Sequence, residues 1–228
     1  MGCRHPPPPF NDPVRLSRSG IRMVPTRLSI FPLPGAILFP GLQLPLHVFE
    51  PRYRAMVSDA LARDQRIGMI QPKEPREGAP LYTIGCIGRI SDVEALEDGR
   101  FNLVLDGESR FRILRELDVT TSFRQVEAEL ITDPDDEFLS AVERADFERN
   151  SRIFADALGY SVDWDSVEKL DDASLINGVA QIAPFDEAAK QALLEAPDLP
   201  ARCDLLVQLM QFFTRQGGRD DDSPPTIQ

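Results

Sequence analysis

Histidine, lysine and cysteine are all scarce in this chain of 228 residues. The cysteines, Cys3, Cys86 and Cys203, are widely spaced and odd in number. That spacing excludes a disulfide framework and a local Cys-x-x-Cys zinc or redox site, and it points to a reducing compartment. Of the 2 histidines, His5 lies in a proline-rich leader, so a His-pair metal site is excluded and a His-based triad would have to rest on His47 alone. Lys73, Lys169 and Lys190 are the only lysines, and none has a recognisable catalytic setting. There is no Gly-x-Ser-x-Gly elbow and no Gly-x-x-x-x-Gly-Lys-Ser/Thr loop, which removes the commonest hydrolase and nucleotide-hydrolysis signatures. No apolar run approaches the roughly 18 residues of a membrane span, and no apolar stretch follows the N-terminal arginines. A cytoplasmic protein without membrane contact, cofactor or metal is expected.

What is present suffices for a core: 42% of the residues are hydrophobic and 27% charged. The net charge of −12 is uneven. Residues 1–132 hold 17 Lys+Arg against 16 Asp+Glu, whereas 133–228 hold 8 against 21. An acidic surface repels phosphate backbones, which argues against general nucleic-acid binding.

Four regions are expected: a disordered leader over 1–22, a β domain over 23–132, a helical part over 133–217 and a disordered tail over 218–228. The leader contains four consecutive prolines and few aliphatic residues. Gly2 alone does not make a myristoylation signal, and Met23 would itself serve as a start just before the first structured segment. From Leu28 come short apolar runs broken by Pro32, Pro34, Pro40 and Pro45, read as edge or irregular strands at a rim. Pro51 then opens an amphipathic helix over about 51–63 carrying Tyr53, Met56, Val57, Ala60 and Leu61. Further β runs flank a hairpin signal at Asp98-Gly99 and a turn or bulge at Asp106-Gly107. Gly85 and Gly88 mark a bulge or a close strand crossing.

The character switches at Asp133-Pro134-Asp135-Asp136. Phe138, Leu139, Val142, Ala145, Ile153, Phe154, Ala157 and Leu158 predict a helix stopping at Gly159, and Tyr160 and Trp164 then lie in a loop. Asp171 or Asp172 caps the next helix, a short one passes through Leu193 and Leu194, and Asp198 caps the last, which ends at Gly217-Gly218. The fold class is α+β, a mostly antiparallel β domain with one inserted helix followed by helices. Acidic pairs such as Asp92/Glu94, Glu97/Asp98 and Asp171/Asp172 read as turn formers, caps and solvated faces. His47, within LPLHVFEPRY, reads as a structural histidine at a strand–helix junction.

The string FPLPGAILFPGLQLPLHVFEPRYRAMVSDAL, followed by RIGMIQP, LYTIGCIGRI and LVLDGESRFRI, resembles the N-terminal substrate-binding domain of the ATP-dependent Lon proteases. It is most similar to stand-alone bacterial proteins consisting of that domain only, and FDEAAKQALLEAPDLPARCDLLVQLM is similar to the segment closing the domain. The resemblance covers about 28–215. It implies a PUA-like β pseudo-barrel with a helical bundle behind it, and a role in engaging unfolded or damaged polypeptides. Full-length Lon adds a Walker A ATPase module and a Ser-Lys protease domain, and neither motif set is found here, so binding rather than catalysis is expected.

Binding of that kind needs an apolar surface rimmed by polar groups. In the proline-rich segment, Phe39 and Leu42 beside Pro40-Gly41 are the best candidates to project from a turn whose backbone the prolines leave unpaired. Arg52 and Arg54 on the following helix are candidate polar anchors. The readings are therefore binding of unfolded polypeptide or a protein partner in quality control, binding of RNA or a small ligand by a PUA-like module, and an unrecognised hydrolase. Nothing in the sequence sets an oligomeric state.

Overall fold

A computed structural model describes residues 25–131 and 138–220, with side chains through residue 215. The leader 1–22, Met23, the Asp133–Asp136 switch and tail residues 221–228 lie outside the described residues. Six strands, β1 (Thr26–Pro32), β2 (Gln43–Val48), β3 (Arg66–Ile70), β4 (Ile84–Ala95), β5 (Phe101–Glu116) and β6 (Gln125–Ile131), form one mixed sheet in the order β2-β5-β4-β3-β1-β6. All pairings are antiparallel except β1 with β3. Helix α1 (Pro51–Leu61) lies in the connection between that parallel pair.

Strand β5 is long enough to serve three neighbours. It runs along β4, and its other edge pairs first with β2 over Phe101–Asp106 and then with β6 over Arg110–Glu116. Because β6 also pairs with β1, the pairings β5-β4-β3-β1-β6-β5 form a closed circuit to which β2 is added. Leu28 and Ile30 of β1, Ile70 of β3, Ile87 of β4, Phe111 of β5, and Val126 and Ala128 of β6 are buried together as one cluster, as inward positions of alternating strands should be.

The expectation that LSIFPL is a rim strand is corrected, because β1 is paired on both sides, by β3 and β6. Pro32 escapes the usual conflict with a central strand by standing at its last position. Asp106-Gly107 does not end a strand but sits at a bulge inside β5, where Glu108 is the extra residue between the pairs Gly88↔Gly107 and Ile87↔Ser109. Gly85 marks a close crossing: a Cβ there would come within 2.3 Å of the Met69 carbonyl oxygen and 2.7 Å of the Phe111 ring.

The C-terminal half comprises α2 (Ala141–Ala157), α3 (Trp164–Val167), α4 (Asp172–Ile182), α5 (Glu187–Glu195) and α6 (Leu199–Asp220). Ser140 and Glu143 form a capping box at α2. Asp171 caps α4 through the Ser174 N–H, and the Ala201 N–H donates to Asp198 at the start of α6. The expected buried face of α2 is out of phase. Phe147, Asn150, Ser151 and Phe154 face inward, whereas Phe138, Val142 and Ile153 are exposed. Trp164, expected in a loop, opens the single turn α3, and α6 runs past Gly217-Gly218. The larger core cluster joins Phe31, Leu38, Phe39 and Met69 to Leu175, Ile176, Leu206 and Met210, so the two halves share one interior.

Candidate functional site

The Pro40-Gly41 turn is not a free rim. Phe39 is 0% exposed, and its expected projection into solvent is corrected. The reason is α4, which folds over the turn from far along the chain. Gln181 Oε1 accepts from the Phe39 N–H (3.1 Å), Asn177 Nδ2 donates to the Pro40 carbonyl (3.0 Å), and the Arg202 guanidinium lies 5.8 Å from the Phe39 ring centre. Leu42 is half-buried and packs against the same core. Nor is the turn's backbone unpaired, since the Gly41 N–H donates to the Gly107 carbonyl (2.8 Å) and the Gly107 N–H to the Leu42 carbonyl (2.7 Å).

Arg52 and Arg54 reach different grooves. Arg52 lies in a cleft of 190 Å³ walled by Pro32, Pro34, Tyr53, Pro75, Glu77 and Arg124. Its guanidinium donates to Glu50 (2.8–3.0 Å) and Glu77 and sits 4.6 Å from the Tyr53 ring centre. Burial alone would lower its pKa, but Tyr53 and the Glu50 carboxylate outweigh that and hold it above the ordinary value. Burial pushes the Tyr53 phenol up in turn. Arg54 lies over the Asp98-Gly99 hairpin, so close that a Cβ on Gly99 (φ +80°) would fall 2.0 Å from its Nη2. The turn therefore needs glycine for its backbone, since the arginine end could move aside for a larger residue.

A further exposed surface, which the sequence reading missed, lies on β2. Its burial alternates: Gln43, Pro45 and His47 are exposed, Leu44 and Leu46 half-buried, Val48 buried. The next outward position is Phe49, 60% exposed, its ring 6.2 Å from that of His47. The period-2 pattern of LQLPLHVF contains this signal, its outward set Gln43, Pro45 and His47 leading to Phe49 at its end.

His47 is held in one tautomer. Arg100 donates to Nε2 (3.3 Å), so the proton resides on Nδ1 and is donated to Asn102 Oδ1 (2.7 Å), whose Nδ2 donates to Glu94 (2.8 Å). This chain crosses β2, β5 and β4 along one row of the register, His47↔Asn102↔Glu94. Beside it a shallow groove of 430 Å³ is lined by Pro45, His47, Asp92, Glu94 and Val104. Both ring nitrogens of His47 are thus committed to hydrogen bonds within this row. Among the described residues no group of three or more His, Cys, Asp and Glu side chains is placed to hold a metal ion. None of the described helices is long and apolar enough to cross a membrane.

Comparison with known proteins agrees with this fold. Lon protease 2 of Myxococcus xanthus is 29% identical over 199 residues, covering 82% of this chain and 24% of the relative. The Lon protease of Escherichia coli is 25% identical over 197 residues, covering 81% of this chain and 24% of that protein. The chain thus spans about a quarter of the length of these relatives. Two solved structures match at a TM-score of 0.63: a Lon N-terminal domain protein from Xanthomonas campestris (24% identical, 80% of this chain and 98% of that one) and the N-terminal domain of Mycobacterium avium complex Lon protease (21%, 82% and 98%). The model of the ATP-dependent protease La (LON) substrate-binding domain matches residues 27–211. On that span, most of the chain, the protein belongs to the LON substrate-binding domain family.

Proposed function

We propose that this chain is a non-catalytic module that binds unfolded polypeptide segments, or a protein partner presenting such a segment, in protein quality control. In this reading the closed circuit of strands is a PUA-like pseudo-barrel and the C-terminal helices are the bundle that buttresses it. The binding surface is the outer edge of β2 and the start of α1. The observation that carries it is Phe49, a large apolar side chain left 60% exposed at the end of an uncharged edge strand, within a family defined by substrate binding. Arg52 and Arg54 follow it on α1 as a polar rim, Arg52 paired with Glu50 and Glu77 and Arg54 close enough to Asp98 to lower its pKa.

The RNA reading draws no support from these surfaces. Arg52, Arg66 and Arg100 are already paired with Glu50, Glu108 and Asp98, and a groove carrying Asp92 and Glu94 repels a phosphate backbone. The test is an anisotropy titration of a dye-labelled, permanently unfolded polypeptide with the wild-type chain and with Phe49→Ser. The reading predicts saturable binding that Phe49→Ser weakens by about 1–3 kcal/mol. Absence of saturable binding by the wild type would refute it.

A further inference from the structure

We infer that the outer edge of β2 takes an extended polypeptide as an added strand, reading it through the backbone at Pro45 and His47 and through alternate apolar side chains over Leu44 and Leu46. This rests on the polypeptide-binding reading above and specifies its mode.

The phase of the β2 ladder comes from the bond at its start. The Gly107 N–H donates to the Leu42 carbonyl (2.7 Å), which makes Leu42 and Gly107 a bonded position. Antiparallel pairs alternate between bonded and unbonded positions. Leu44, Leu46 and Val48 therefore direct their backbone groups to Leu105, Leu103 and Phe101, while Gln43, Pro45 and His47 turn theirs to the open side. Two features agree with this phase. Pro45, which has no N–H, stands where the β5 ladder needs none. Gln181 reaches the Gln43 carbonyl from the open side (2.8 Å). By this phase the Pro45 carbonyl and the His47 N–H and carbonyl face the open side of β2, and together they match an extended backbone.

The side chains define the occupant further. Leu44 and Leu46 are half-buried against the core, and every second side chain of an added strand would lie beside them on that face. The other set would lie beside Pro45, His47 and Phe49. The strand itself, QLPLHV, carries no formal charge but borders the groove holding Asp92 and Glu94, so the fitting segment has apolar residues at alternate positions and no negative charge on the other set. A second copy of this chain fits less well. In a two-fold β2–β2 pairing the missing N–H of Pro45 is lost on both strands, whereas a separate segment meets it once.

The experiment uses the full chain and a synthetic seven-residue peptide alternating valine and threonine, with N-methyl groups on the odd residues, on the even residues, or on none. Titration with each is followed by anisotropy, and the unmethylated peptide is also titrated against His47→Pro. Strand addition predicts that methylation in one register weakens binding about tenfold or more while the other register changes it less than about twofold. It also predicts that His47→Pro, at an outward amide, lowers affinity about tenfold. Should that variant fold poorly, the methylated pair on the wild type decides alone. Equal effects of the two registers would overturn strand addition. Failure to bind the unmethylated peptide, with a permanently unfolded protein still bound, would overturn it alone; failure to bind either would remove the underlying reading as well. A dimer of this chain dissolved by His47→Pro would assign the edge to a second copy and overturn the proposal.

Discussion

Arg110 and Arg202 converge from opposite halves of the molecule on one helix end. Arg110 of β5 donates to the carbonyls of Leu194 (2.9 Å), Ala196 and Pro197 (3.2 Å), and Arg202 of α6 donates through Nε to that of Leu193 (2.9 Å). Both side chains are buried, at 2% and 3% exposure. The last carbonyls of α5 lack intrahelical partners and carry the negative end of the helix dipole, so two guanidinium groups satisfy them where water does not reach.

Arg110→Met is accordingly expected to cost about 3–5 kcal/mol, because it leaves several buried carbonyls unpaired while keeping most of the apolar volume. Urea unfolding followed by circular dichroism checks this. A loss below about 1 kcal/mol would show that the clamp contributes little.

Two phenylalanines ten residues apart should behave oppositely. Phe39→Ser removes a fully buried ring under α4 and is expected to cost roughly 2–5 kcal/mol, whereas Phe49→Ser should change stability by less than about 0.5 kcal/mol. Thermal melts of the two variants decide it. A stable Phe39→Ser variant would contradict the covering of the Pro40-Gly41 turn by α4.

The helix caps give a pH dependence of known sign. Hydrogen bonds from the Ser174 hydroxyl and N–H hold the Asp171 carboxyl below its usual value, and those from Ser166 and Ser140 do the same for Asp163 and Glu143. A depressed carboxylate stabilises the fold above its unfolded pKa, about 4, and that contribution is lost as pH falls through the folded value. Stability should therefore decline from about pH 5 downward, and less steeply in Asp171→Ala, which itself should cost about 1 kcal/mol at neutral pH. Denaturant midpoints measured from pH 7 to pH 3 would show an unchanged slope in Asp171→Ala if the cap is not formed.

Cys86 and Cys203 should resist alkylation in the native state. Both are buried, and burial pushes the Cys203 thiol up to about 12, so hardly any thiolate exists at neutral pH. Peptide mapping after iodoacetamide treatment should find them modified only in denaturant. Rapid native labelling of either would contradict their placement.

Local signals carried much of the fold. Pro51 at the first turn of α1, Asp98-Gly99 at the hairpin and the Asp171 and Asp198 caps are decided by neighbours within four residues, and the sequence displays them. The mistakes arose where distant segments decide. Phe39 beside Pro40-Gly41 looks like a turn tip until α4, some 140 residues later, closes over it. Closure of the strands depends on β5 bending at its bulge from β2 to β6, which no local pattern announces. On α2, exposed Val142 and Ile153 imitated a buried stripe, while polar Asn150 and Ser151 occupy it, with Asn150 accepting from Gln211 (3.0 Å). Arg52 and Arg54 stand on α1 where the sequence places them, their role being part of the proposal, and Phe49 was passed over although the alternation of β2 leads to it.

Hydrogen exchange read by mass spectrometry, with and without a saturating, permanently unfolded polypeptide, tests the binding surface most directly. Slowed exchange is expected over residues 42–55, where β2 and the start of α1 present the open backbone of His47 and the ring of Phe49. Protection confined to the exposed faces of α2 and α6, or no protection anywhere, would contradict it.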